Sequence, residues 1–81
     1  MTYSGWKNRQ TWNVSLWLNN TEDLYREAVR FMQTRKNQKG SYYNFIRSQN
    51  LENNRTGDNI AWLGTRLDYK SLDEMMMELI K

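Results

Sequence analysis

The sequence predicts an all-α fold, a compact bundle of four or five short helices. Three observations lead there. Proline is absent, so nothing interrupts an i to i−4 hydrogen-bond ladder. Apolar residues recur at three- and four-residue intervals along most of the chain. Only one segment alternates like a strand, and a strand without a partner leaves its backbone groups unsatisfied.

The first element is that ambiguous segment. Trp12, Val14, Leu16 and Leu18 alternate, yet wound as a helix Trp12 and Leu16 share one face. The absence of a second strand favours a nearly buried helix, with Asn8 as its cap. The next helix is the clearest. Leu24, Tyr25, Ala28, Val29 and Met32 form one stripe, and Asn20 or Thr21 can cap it. Glu22 and Asp23 occupy its first turn and Arg35, Lys36 and Lys39 its far end, as the helix dipole favours, with Gly40 as the stop. Ser41 then caps a shorter helix with Tyr42, Phe45, Ile46 and Gln49 on one face.

Residues 50–57 are polar and read as a loop, after which Ile60, Leu63 and Leu67 resume helical spacing. Ser71-Leu72-Asp73-Glu74 has the form of a capping box, opening a last helix that turns Leu72, Met75, Met76, Leu79 and Ile80 inward. The expected core comprises Trp12, Leu16, Leu24, Ala28, Val29, Met32, Phe45, Ile46, Leu63, Leu67, Leu72, Met76 and Leu79.

Asn8, Thr11-Trp12-Asn13-Val14, Leu16-Trp17 and Asn19-Asn20, followed by an acidic pair and Leu24-Tyr25, carry a resemblance. The pattern is similar to a signature of the type E-T-W-N-V-x-L-W-I-x-N in a small family found in bacteriophages, including cyanophages, and on bacterial genomes and plasmids. Gln10 stands where that family often has an acid, and Leu67-Asp68-Tyr69 resembles a similar turn before the terminal helix of its members. The match is specific over about residues 6–32. It implies a short helical module of viral or mobile-element origin. It transfers no activity and no catalytic residue, and it fits an architectural role for the signature.

At 81 residues the chain makes a single domain, 1–81, near the lower size at which a core supports itself. Hydrophobic residues form only 38% of it, so the aromatics, at 14%, must supply much of the buried area. Cysteine and histidine are both absent. That removes disulfides, the usual zinc and iron sites, and the usual nucleophile–base pairs. Glu22/Asp23 and Asp73/Glu74 could in principle serve acid–base or magnesium chemistry, but capping at helix starts explains them. Glycine is too sparse for a phosphate-cradling loop. The expectation is a non-enzyme without metal or cofactor.

No apolar run approaches the roughly 18 residues that span a bilayer, and residues 1–8 lack the features of a secretory signal. A cytoplasmic protein, in the cell where it is made, is expected. Two binding classes remain. Tyr3 and Trp6 precede the first helix, and the Met75-Met76-Met77 triplet must leave at least one methionine outside the core. Tyr3, Trp6, Met75 and Met77 are therefore the expected protein-binding residues, toward a host protein or a second copy of the chain. The alternative is nucleic acid. Residues 1–55 hold nine Lys/Arg against four Asp/Glu, and residues 56–81 hold three against five. Arg30, Arg35, Lys36, Lys39 and Arg47, with Tyr43 among them, could neutralise phosphates and stack on bases.

Overall fold

The computed structural model describes residues 5–34 and 40–80. Within them lie four helices, α1 (Arg9–Asn20), α2 (Glu22–Thr34), α3 (Ser41–Ser48) and α4 (Tyr69–Glu78), and no strand. The fold class expected from the sequence is the one observed. Helix α4 packs against each of the other three, α2 bridges α1 and α3, and α1 and α3 do not meet. None of these helices is long and apolar enough to cross a membrane.

Helix α1 starts as expected at Asn8, whose Oδ1 accepts from the Thr11 amide at 2.9 Å. Its buried face differs from expectation. Thr11, Val14, Ser15 and Leu18 are buried, an i, i+3, i+4, i+7 stripe, whereas Trp12 is half-buried and Leu16 is 37% exposed. The real stripe sits one residue away from the one that the bulky side chains suggest. It contains two hydroxyl residues, and both are satisfied. The Ser15 hydroxyl donates to the Trp12 carbonyl at 2.7 Å, and the Thr11 hydroxyl donates to Asn8 Oδ1 at 2.6 Å. A buried hydroxyl so paired costs little.

Thr21 alone separates α1 from α2, and its hydroxyl and amide both donate to the Trp17 carbonyl. On α2, Ala28 and Met32 are buried, with Leu24 and Phe31 packed partly against the core. Tyr25 is exposed and Val29 turns to the rim, so this stripe too is rotated from the expected one. The Phe31 ring meets Phe45 of α3 at 5.4 Å, tilted by 60°.

Helix α3 buries Tyr42, Phe45 and Ile46, as the spacing indicates. Its N-cap is Gly40 in the left-handed region, φ 70°, and Ser41 is the first helical residue. The missing cap is supplied from α4: Asp73 Oδ1 accepts from the Tyr42 amide at 2.9 Å and Oδ2 from the Gly40 amide at 3.3 Å. At its other end Asn50, φ 60°, takes the left-handed position that glycine often fills. The Leu51 amide then bonds Ile46 O and the Asn50 amide bonds Arg47 O, both at 3.1 Å, closing a Schellman motif.

No helix forms over residues 60–67. A tight turn carries the chain instead, with an isolated antiparallel bridge between Arg55 and Ala61, a Thr56 N to Ile60 O bond of 2.8 Å, and Asn59 at φ 66°. Trp62 and Leu67 enter the core from this irregular segment. The buried Tyr42 hydroxyl donates to the Trp62 carbonyl at 2.7 Å. Burial raises the Tyr42 pKa far above its ordinary value, with nearby Tyr69 adding to the effect.

Helix α4 opens one turn earlier than the capping box implies. Asp68 is the N-cap, accepting from the Ser71 amide and hydroxyl, and Glu74 is exposed. Leu72 and Met76 are fully buried, while Met75, Met77, Leu79 and Ile80 are partly so.

Candidate functional site

The signature residues build the framework on which any site rests. Asn8 Nδ2 donates to the Arg66 carbonyl at 2.6 Å, and Thr11 Oγ1 accepts from the Asp68 amide at 2.9 Å. Those two bonds fix the turn that starts α4. Further along α1, the 55–61 turn is held in the same way. Asn13 Nδ2 donates to Asp58 Oδ2 at 2.8 Å and its Oδ1 accepts from the Thr56 hydroxyl at 2.7 Å. Trp17 Nε1 donates to the same Asp58 oxygen at 2.9 Å. The Trp17 indole lies so close over Gly57 that a Cβ there would overlap it.

Helical spacing explains the arrangement. Residues 13 and 17 are i and i+4 and share a face, so one carboxylate can accept from both. The Trp17 and Asn13 hydrogen bonds hold the Asp58 carboxyl below its ordinary range, with a smaller contribution from the Arg9 charge. The Ser71 hydrogen bonds do the same for Asp68, helped by Lys7. The carboxylates that stand out electrostatically thus have structural partners. No group of three or more acidic side chains able to hold a metal occurs among the described residues.

Of the residues expected to bind protein, Tyr3 lies outside the described residues. The other three come together: Trp6, Met75 and Met77 line one groove of about 600 Å³ with Ser71, Glu74 and Glu78. Trp6 precedes α1, and the methionines project from α4, two residues apart on the sides flanking buried Met76. Asn19 of α1 donates an amide N–H toward Met75 Sδ at 3.3 Å, which orients that thioether. Both carboxylates at this groove belong to α4, so its rim is acidic.

Of the residues expected to bind nucleic acid, Arg35, Lys36 and Lys39 fall outside the described residues. Arg30 pairs with Glu27 at 3.4 Å and Arg47 with Glu52 at 3.8 Å. Tyr43 is exposed, stands edge-on to Tyr69 at 6.5 Å, and has the Arg47 guanidinium 5.8 Å from its centroid. No hydrogen bond, ion pair or ring contact joins Arg30 to Tyr43 or Arg47.

Lys7, Arg9, Arg55 and Arg66 behave differently, for none of them forms an ion pair among the described residues. Arg55 and Arg66 line one pocket of about 240 Å³ together with Gln10 of α1. Sequence reasoning passed over these cations because they are scattered singly along the chain. For Lys7, Arg9 and Arg66 the only signal available was the absence of an acid three or four residues away, which Arg26 and Arg30 do have; Arg55, with Glu52 and Asp58 three residues to either side, gave no signal.

No curated protein and no solved structure matches the chain. A family model, described as a family of unknown function (DUF7249), matches residues 1–81. With the whole sequence covered, the chain belongs to that family.

Proposed function

We propose that the protein is a non-enzymatic phage accessory factor that docks one host protein in the Trp6, Met75 and Met77 groove and thereby inhibits or redirects it during infection. The observation that carries this reading is convergence. Residues 69 positions apart in sequence form one apolar groove, and they are the flexible and flat side chains suited to an adaptable interface. The occupant that fits is a protein segment with an apolar anchor flanked by Lys or Arg, because Glu74 and Glu78 edge the groove. The lack of histidine and cysteine supports a binding role over catalysis. The resemblance of the Asn8–Asn20 signature to phage-borne sequences supports an infected cell's cytoplasm as the setting.

The test is affinity capture from host lysate after nuclease treatment, with wild type, Met77→Asp, Glu74→Lys and Tyr25→Lys compared. The reading expects a stoichiometric protein retained by wild type and Tyr25→Lys and lost from the two groove variants. Recovery of nucleic acid alone, or of proteins indifferent to the groove variants, overturns it. A dimer in sedimentation that Met77→Asp abolishes assigns the groove to a second copy and equally overturns the host-protein reading.

A further inference from the structure

We infer that the pocket between Gln10, Arg55 and Arg66 binds single-stranded nucleic acid, holding a phosphate on the arginines and one base inside. This surface shares no residue with the protein-docking groove. It is also distinct from the basic 30–47 stretch.

Unused hydrogen-bonding capacity is the first argument. Around this pocket the Gln10 and Asn59 amides and the Arg66 guanidinium make no hydrogen bond or ion pair among the described residues. Arg55 gives one N–H, to the Asn59 carbonyl at 3.1 Å, which anchors the guanidinium at the pocket edge and leaves its other donors unspent. Two arginines with donors to spare suit phosphate oxygens, which guanidinium groups grip in a fork. No acid lines the pocket.

The second argument is shape. Ile60, Ala61 and Leu67 provide an apolar wall, and the volume of about 240 Å³ lies just below the range for drug-sized ligands. That space accommodates one flat ring. Two free amides beside it can donate to and accept from a base edge. A base held in a duplex stack cannot enter such a pocket, whereas a base on a flexible strand can. Lys7 and Arg9, at the start of α1, form no ion pair among the described residues, and their charges help to hold the Asp68 and Asp58 carboxyls low. Two arginines at one pocket with no acid in its lining favour a polyanion over a lone phosphate.

The experiment is fluorescence anisotropy with labelled oligothymidylate about 12 nucleotides long, the same length of duplex, and thymidine monophosphate as competitor. The single strand is expected to bind, with a log–log salt slope of about −1.5 to −3 for two to four neutralised phosphates. Arg66→Glu should weaken it at least about tenfold, because a phosphate then faces a carboxylate in place of a guanidinium. The fold uses only the carbonyl of Arg66, so this variant should keep the wild-type melting curve. Arg55→Gln, which retains an N–H for Asn59, should also weaken binding, and Arg30→Gln should leave it within about twofold.

Absence of binding overturns the inference. So does binding insensitive to Arg66→Glu and Arg55→Gln but abolished by R35E/K36E/K39E, equal or tighter binding of the duplex, or monophosphate competition as strong as the strand's. Loss of the docking partner in the Met77→Asp variant leaves this result untouched, so the two readings fail separately.

Discussion

Replacing Asn13 by alanine perturbs the centre of the framework, and its cost can be worked from the bonds it makes. The side chain is 1% exposed and makes two hydrogen bonds, one to the Asp58 carboxylate at 2.8 Å and one from the Thr56 hydroxyl at 2.7 Å. The buried bond to Thr56 contributes about 1 kcal/mol and leaving the Thr56 hydroxyl without it costs about 1–3 kcal/mol more, the exposed Asp58 carboxylate adding little to this. Asn13→Ala should therefore destabilise by about 3 kcal/mol. Thr56→Val removes an oxygen that also accepts from the Asp58 and Ile60 amides, at the longer distances of 3.2 and 3.3 Å. About 2 kcal/mol is expected for it. The double variant should cost about 4 kcal/mol rather than the sum, because the shared bond is removed only once, leaving a coupling of about 1 kcal/mol. Urea unfolding followed by tryptophan fluorescence reads these values. With a slope of about 1 kcal/mol per molar for a small chain, the Asn13→Ala midpoint should fall by about 3 M. Strict additivity, or single losses below about 0.5 kcal/mol, would refute the reasoning.

Three further outcomes follow from the same contacts. Gly57→Ala drives a methyl into the Trp17 indole; overpacking of this kind costs about 1–3 kcal/mol, readable in the same urea titration, and a neutral result contradicts the close approach. Asp73→Ala removes the carboxylate that caps α3 from α4, with an expected cost of about 1–2 kcal/mol and a Tm lower by about 4–8 °C for each kcal/mol; Asp73→Asn should recover part of it. Asp58 has a folded pKa below its ordinary value of 3.8, so its contribution is complete above that pH and declines as pH falls through the folded value. Stability measured between about pH 5 and pH 2 should fall less steeply in Asp58→Asn than in wild type, and an unchanged slope would remove Asp58 from the acid response.

Much of this architecture is legible in the residues, and the departures have physical causes. The stripe on α3 reads correctly because Tyr42, Phe45 and Ile46, its large apolar side chains, are buried, with Ser41 as the one buried polar residue of the helix. On α1 the reading slips by one residue, since Thr11 and Ser15 are polar by type and apolar by environment once their hydroxyls find partners within one turn. The helix expected over 60–67 gives way to long-range competition. Helical spacing of Ile60, Leu63 and Leu67 is a local preference, whereas bonds from Asn13 and Trp17 act across more than 40 residues and hold a turn there. The capping box yields to Asp68 for a similar reason, because Thr11 holds the Asp68 amide and places the helix start.

The groove was accessible to sequence reasoning through three adjacent methionines, of which one must point inward and its neighbours to either side. The arginine pocket was not. Its residues come from three separate segments, and only the 55–61 turn brings Arg55 beside Gln10 and Arg66. Both candidate surfaces therefore depend on the same polar framework, though neither uses the framework's own side chains. A variant that weakens the framework should harm both kinds of binding together, while Arg66→Glu and Glu74→Lys, at exposed positions of the two surfaces, should leave stability near wild type.

Amide hydrogen exchange by NMR addresses the framework most directly. The amides of Asp58, Ile60 and Asp68 sit in an irregular segment, yet each donates to a threonine hydroxyl, Thr56 for the first two and Thr11 for the last. All three should exchange slowly in the wild type, and Thr11→Val should release Asp68 while Asp58 and Ile60 stay protected. Rapid exchange of all three in the native protein would show that α1 does not hold these turns, and the account of the signature would be wrong.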